Sequence, residues 1–163
     1  MNTETNSNNN TDTFSTDTPG ELIQQTIEKV SNYLKEIYPN HISFGDGTFT
    51  IARGSSQVMI VVRPFTDTES CVECISNVVT SANVTPDLMR FLLRKNSELH
   101  FGAFGLLFDD TITFSHSLPG ANLDPNELRT AVDAVAIISD YYDDIIVELA
   151  GGKRASDIIE DLE

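Results

Sequence analysis

Basic residues, cysteine and tryptophan are scarce in this sequence. Its 163 residues include 10 Lys and Arg against 25 Asp and Glu, a formal net charge of −15, with two Cys and no Trp. Binding to a nucleic-acid duplex depends on Lys and Arg contacts to phosphate, so the charge argues against that role. It argues equally against an anionic membrane surface. The acidity is first of all a means to solubility, with attraction of basic partners as the alternative. We expect neither nucleic acid nor membrane among the partners.

Long apolar runs are also lacking. No run approaches the ~20 residues of a membrane-spanning helix, and the N-terminal residues have neither the basic start nor the apolar stretch of a secretory signal. We therefore expect a cytoplasmic protein. With 40% apolar residues, the chain can form one ordinary core, which predicts a single folded domain.

The two cysteines, Cys71 and Cys74, form one Cys-Val-Glu-Cys motif. The surrounding sequence is typical of a strand, where residues three apart point to opposite faces. The two sulfurs should therefore not face each other as in a redox dithiol, which also needs a helix N-terminus after the strand. A single Cys pair supplies only half of a structural zinc site. We predict two ordinary strand cysteines.

Three segments place a capping residue and a proline before an acidic residue, a pattern that predicts helix starts. The capping side chain accepts from amide groups of the first turn, and proline at the first helical position leaves no amide unsatisfied. In the first and third, a Glu three residues after the cap predicts a capping box. The three segments are Thr18-Pro19-Gly20-Glu21, Thr85-Pro86-Asp87 and Asp124-Pro125-Asn126-Glu127.

Strands are predicted between these helices. A hairpin is indicated around Gly45-Asp46-Gly47, and a second around Asp109-Asp110. The run Val58–Val62 is apolar without alternation, which predicts a strand covered on both faces or at a subunit contact. The cysteine-bearing strand should extend to about Val79.

The middle helix is predicted from about Pro86 to Asn96, with one apolar face and one basic face. The basic residues Arg90, Arg94 and Lys95 form either a solvated face or a subunit or ligand contact. The last helix should run from Pro125 to Leu149 and end at two glycines. Its predicted buried stripe consists of Ala131, Val135, Ile138, Tyr142, Ile145 and Leu149.

The chain divides into three parts. Residues 1–17 are almost entirely polar and are predicted to form a disordered tail, because they cannot bury enough apolar surface to offset their ordering entropy. Residues 18–152 should form the single α+β domain. Residues 153–163 form a short acidic amphipathic segment that either docks or frays.

No residue pattern predicts catalysis, a metal or a cofactor. The histidines His41, His100 and His116 are scattered, with no carboxylate at a helical spacing that would suggest a metal pair. The pairs Asp109-Asp110 and Asp143-Asp144 lack the alternate acidic positions of a calcium loop. No Gly-x-Ser-x-Gly motif or nucleotide-binding glycine pattern occurs. We therefore expect a non-enzymatic protein without cofactors.

The order of elements resembles a known fold. A helix ending in Arg94-Lys95-Asn96, the strand region Leu99–Ile112 with its Phe-Gly pair, Leu118-Pro119 and the helix Leu128–Tyr142 look like YbjN-type domains. The resemblance covers roughly residues 20–150. It implies the secretion-chaperone-like fold shared with type III secretion chaperones: α+β, with an antiparallel sheet and the order α-β-β-β-β-α-β-β-α.

What the resemblance implies is a non-enzymatic protein-binding module, a homodimer that can hold a segment of a client protein. The alternative is a sensory or transcription-related regulator domain that binds a small ligand. An enzyme of unrecognised type would need clustered titratable residues. The candidate partner or dimer contacts are Leu88, Phe91, Leu92, Phe104 and Leu106.

Overall fold

The computed structural model describes residues 17–160, and the side chains of 17–158. Helices and strands alternate in groups along the chain, and the strands form one antiparallel sheet. The elements are α1 (Gly20–Ile37), β1 (Ile42–Ser43), β2 (Thr48–Arg53), β3 (Ser56–Pro64), β4 (Ser70–Thr80), α2 (Pro86–Glu98), β5 (Ala103–Leu106), β6 (Ile112–Pro119), α3 (Pro125–Ala150), β7 (Lys153–Arg154) and α4 (Ala155–Glu160).

The strands are arranged in the order β1-β2-β3-β4-β6-β5, and β7 pairs with β4. Each pairing is antiparallel. Residues of α1, α2 and α3 share one hydrophobic core with one face of the sheet. The predicted fold class and the predicted order of elements from α1 to α3 are confirmed. The sequence of the last eight described residues adds β7 and α4, which the predicted order lacks.

Two of the three predicted helix caps are present. The Thr85 side chain accepts from the backbone amide of Leu88, and Asp124 forms a complete capping box with Glu127. The prediction for Thr18 is wrong, because α1 begins after Pro19 without a side-chain cap. The Thr18 hydroxyl instead belongs to the turn between β3 and β4. It donates to a backbone carbonyl there at 2.5 Å and accepts from the amide of Phe65 at 2.8 Å.

Strand β3 is fully buried on one face only, so cover on both faces, the first alternative predicted for Val58–Val62, is wrong, whereas a subunit contact at this strand stays a prediction. Val58, Ile60 and Val62 are buried against the helices, whereas Met59 is exposed and Val61 is half-buried on the opposite face. The apolar run is therefore continuous in sequence, but its side chains alternate between the two faces of the sheet. We call the face that carries Met59 and Val61 the outer face.

The buried side of α3 also differs from the predicted stripe. Leu149 is exposed, and the C-terminal half buries Ser139, Asp143 and Ile146 instead. A strict seven-residue repeat drifts by about 20° per heptad on a straight α-helix. Over the 26 residues of α3 this drift moves the buried line by one residue. The Gly151 stop is confirmed: its φ of 69° ends the helix.

The predictions for the two ends of the chain concern residues 1–17 and 153–163, of which the structure describes Asp17 and residues 153–160. The predicted disordered tail lies almost wholly outside the described residues, since it includes only Asp17 of them. Of the predicted acidic C-terminal segment, Lys153–Glu160 docks on the sheet as β7 and α4. The division into a tail, a domain and a C-terminal segment stays a proposal.

Candidate functional site

An apolar groove lies between α2 and β5, the strand at one edge of the sheet. We call it the α2–β5 groove; its open volume is about 150 Å³. It exists because α2 covers the sheet with one side of the helix, while no other strand of residues 17–160 pairs with the outer edge of β5. The lining residues are Val84, Leu88, Met89, Leu92, Leu93, Asn96, Phe104, Gly105, Leu106 and Ile112.

Four of the five predicted contact residues line this groove. Leu88, Leu92 and Phe104 are buried at its base, and Leu106 is exposed at its rim. Phe91 lies outside it: its ring is half-buried against Tyr142 of α3, with ring centroids 6.3 Å apart. The structure therefore brings four predicted residues together and separates the fifth from them.

The most exposed apolar side chains of the groove are ones that the sequence prediction did not select. Leu93 is 69% exposed, and Met89, one turn earlier on α2, is also exposed. Their spacing of four residues is a signal that could have identified them, because such residues share one helix face. Leu107 and Phe108, in the turn between β5 and β6, are also exposed, and Phe108 is fully so.

The side chain of Asn96 closes part of the β5 edge. Its Nδ2 donates to the carbonyl of Phe104 at 3.2 Å, and its Oδ1 accepts from the amide of Phe104 at 2.7 Å. A neighbouring strand would make the same pair of hydrogen bonds with this residue. Asn96 therefore takes the place of a partner backbone at this point of the edge, and the groove presents mainly apolar side chains.

The basic residues of α2 are partly neutralised by acidic residues of the same helix. Arg90 pairs with Asp87 at 3.3 Å, and Lys95 pairs with Glu98 at 2.6 Å. The Lys95 ammonium also lies 5.8 Å from the centre of the Phe91 ring. This pattern fits the solvated-face interpretation of the basic residues for Arg90 and Lys95.

The outer face of the sheet forms a second surface. Thr50, Met59 and Ile75 lie in one row across β2, β3 and β4. Helix α4 covers this row incompletely, leaving a cavity of about 280 Å³ beneath Ala155 and Ile158.

Burial shifts the pKa values of the two cysteines and of His116 in the strands. The pKa of the Cys74 thiol is raised to about 12 by burial, and burial also raises the pKa of Cys71. Because the thiolate is the reactive form, these raised pKa values disfavour reactivity of both thiols. They are unpaired and lie on opposite faces of β4, as predicted. Burial lowers the pKa of His116, which favours the neutral form of that imidazole.

Within residues 17–160, no group of three or more His, Cys, Asp or Glu side chains could hold a metal ion. No helix of the same range is long and apolar enough to cross a membrane.

Comparison with protein families gives a match over most of the chain. Residues 22–158 match the family model TY-Chap1, described as T3SS (YopN, CesT) and YbjN peptide-binding chaperone 1. No curated protein sequence matches the chain.

Solved structures with the same fold include proteins of type III secretion. The ExsC–ExsE complex contains a chain that is 12% identical with a TM-score of 0.59, and the match covers 77% of this chain and 96% of that one. A chain of the HopA1–SchA chaperone–effector complex is 9% identical with a TM-score of 0.56, and the match covers 76% of this chain and 94% of that one. A chain of the heterodimeric ExoU–SpcU complex of the Pseudomonas aeruginosa type III secretion system is 9% identical with a TM-score of 0.52, and the match covers 72% of this chain and 97% of that one. At these identities the likeness shows the fold.

Proposed function

The chain belongs to the TY-Chap1 family of type III secretion and YbjN peptide-binding chaperones, and from this premise we propose that it acts as a homodimer that holds a segment of a client protein. In this proposal the α2–β5 groove is the contact between the two subunits. The client is a second, chemically different protein. We propose a cytoplasmic location as well, since a net charge of −15 suits a protein kept soluble in water.

The observation that carries the homodimer is the cluster of exposed apolar side chains along the groove. Met89 and Leu93 on α2 line the groove together with Leu106 on β5, and Leu107 and Phe108, which follow in the chain, are also exposed. Single exposed apolar residues are normal, but a continuous apolar patch marks an interaction surface. A twofold axis beside the groove would place the same patch of two chains against each other, as symmetric dimers do.

The observation that supports a client is the kind of complex found among the structural neighbours. One neighbour comes from a chaperone–effector complex, in which the partner is a different protein. The net charge of this chain favours client segments with basic residues and speeds their association.

The homodimer is tested by sedimentation equilibrium of the wild-type chain and Leu93→Asp. Because Leu93 is exposed, the substitution leaves the core intact while placing a charge in the proposed contact. We expect the wild-type mass to be that of two chains and the variant mass to be that of one. The matched control is Ile42→Asp, an exposed apolar residue on β1 at the opposite edge of the sheet.

Two outcomes would contradict this assignment. A wild-type mass of one chain at all concentrations removes the homodimer. An equal loss of the dimer in Leu93→Asp and Ile42→Asp removes the groove as the contact. Phe91→Asp is not a suitable variant for this test, because Phe91 lies outside the groove and its ring packs on Tyr142 within the subunit.

Client binding is tested by selecting from a display library of 20-residue peptides on the wild-type chain. We expect enrichment of segments that combine basic and apolar residues, with affinity that falls as salt is raised. A library from which no peptide is enriched would contradict a peptide-binding role.

A small-ligand sensor is the alternative, and the size of the α2–β5 groove argues against a ligand site at that place. Ligand pockets usually enclose about 300–1,000 Å³. The α2–β5 groove is smaller, at about 150 Å³, and open along its length. Its polar lining group, Asn96, is already engaged by the backbone of Phe104.

A further inference from the structure

The segment Lys153–Glu160 crosses to the outer face of the sheet, opposite the three long helices. Its strand β7 pairs with the end of β4, with Arg154 opposite Val79 and Lys153 opposite Thr80. Val79 pairs on its other side with β6, so β7 occupies the position that β3 leaves free beyond its last paired residue. The chain thus completes its own sheet with a short extended segment.

After β7, helix α4 lies over apolar side chains of the outer face without closing them off. Ile158 and Ala155 face Met59 and Ile75, and the cavity of about 280 Å³ lies between them. Met59 remains 38% exposed and Ile158 37% exposed. A well-packed core has few voids larger than a water molecule, so this contact is looser than the interior of the domain.

Polar contacts of Arg154 hold the segment in place. One guanidinium nitrogen donates to Asp144 of α3 at 2.6 Å, and another donates to Asp157 of α4 at 2.9 Å. The backbone amide of Arg154 also donates to the Asp157 carboxylate at 2.9 Å. Both ion pairs involve partly exposed side chains, so they hold weakly and are screened by salt.

The segment is held by a short strand, weak ion pairs and an incompletely filled apolar contact. Another peptide segment can therefore replace it. We propose that the outer face is the client-binding surface and that Lys153–Glu160 occupies it until a client segment of similar chemistry replaces it. This inference rests on the proposed peptide-binding function and names the surface and the chemistry of the client for it.

The occupying segment defines what the client must offer. Two residues in extended conformation pair with Val79 and Thr80 of β4. A basic side chain reaches Asp144, and an aliphatic side chain four residues later covers Met59 and Ile75, as Arg154 and Ile158 do. Because the two subunits of the proposed dimer meet at the α2–β5 groove, the outer face of each stays available.

The test measures binding of a fluorescent synthetic peptide of residues 151–163 to the full-length chain. The variant Arg154→Ala/Ile158→Asp removes the polar anchor and the apolar contact of the chain's own segment. We expect the peptide to bind this variant at least tenfold more tightly than the wild-type chain. The matched control, Arg53→Ala/Ile137→Asp, also removes one ion-paired Arg and one exposed Ile, on the helix side of the sheet, where Arg53 pairs with Asp133 of α3. It should bind the peptide as weakly as the wild-type chain.

A second peptide checks that binding uses the outer face. The same peptide carrying Ile158→Asp should bind at least tenfold more weakly to the variant chain. Equal binding of the first peptide to all three proteins, binding to none of them, or equal binding of both peptides would overturn the inference. The proposed function is judged separately, by the mass of the wild-type chain and by library selection. A dimer that selects peptides while the 151–163 peptide fails would remove only the exchange on the outer face.

Discussion

Replacing Asn96 with Ala tests whether this side chain stabilises the open edge of β5. The substitution removes the hydrogen bonds at 3.2 and 2.7 Å to the carbonyl and amide of Phe104. Each hydrogen bond in a protein contributes about 0.5–1.5 kcal/mol net, so the two together contribute about 1–3 kcal/mol. Ala is a better helix former than Asn by about 0.5 kcal/mol, which offsets part of this loss within α2.

Ser97→Ala is the matched control, because Ser97 is exposed and lies next to Asn96 on the same helix. It gains helix propensity without losing these bonds. We expect Asn96→Ala to be about 1–3 kcal/mol less stable than Ser97→Ala in urea unfolding followed by circular dichroism. For a chain of this size the melting temperature should be lower by about 3 °C per kcal/mol.

The freed edge should also change self-association. Unpaired amide and carbonyl groups on an edge strand template pairing with another chain, so Asn96→Ala should form larger species at high concentration in light scattering. A stability within 0.5 kcal/mol of Ser97→Ala, about the smallest net value of one hydrogen bond, would refute the argument that Asn96 replaces a partner backbone.

Three further substitutions test the packing. Ser139→Ala should stabilise the chain by about 1 kcal/mol in urea unfolding, because the buried Ser139 hydroxyl has no hydrogen-bond partner among the described residues. Burial raises the pKa of Asp143; the folded state then binds the proton more tightly, and stability falls as pH rises from the unfolded pKa through the folded one. Asp143→Asn should therefore raise the melting temperature at pH 7 and not at pH 3. Gly102→Ala should cost about 1–3 kcal/mol in urea unfolding, since Gly102 has a φ of +87° and a Cβ would lie 2.6 Å from the Ser115 carbonyl. If one of these substitutions leaves its measured stability or melting temperature unchanged, the packing described for that residue is contradicted.

The order of elements could be predicted because the signals for it are local. The caps at Thr85 and Asp124 are complete within four residues of sequence, and the glycines after α3 act on the adjacent turn. Thr18 carries the same local signal, yet its hydroxyl is taken by the turn near Phe65, which is 47 residues away in sequence. A local pattern cannot show that a distant carbonyl and amide compete for the same side chain.

The surfaces were harder to predict because they depend on what covers each residue. Leu88 and Leu93 are both Leu on α2, but the first is buried and the second is exposed, since α2 meets the sheet along one side only. Similarly, the neighbouring apolar residues Met59 and Ile60 differ in exposure because they occupy opposite faces of β3. Hydrophobic pattern finds the helix or strand, whereas exposure follows from packing across the sheet.

Two features of the chain occupy backbone positions that a partner strand could otherwise take. Asn96 fills the edge of β5 at Phe104, and β7 fills the position beside Val79 and Thr80 that β3 leaves open. Unpaired strand edges are a liability for aggregation, so a protein that must receive another chain gains from a built-in substitute. Asn96 is one side chain that pairs two atoms, whereas β7 continues into a helix with its own ion pairs and apolar contact. At the edge of β5, therefore, Asn96 satisfies the backbone groups of only one residue. At the outer face, the chain's own segment supplies backbone pairing, ion pairs and an apolar contact. This difference favours the outer face as the place where a client segment is exchanged.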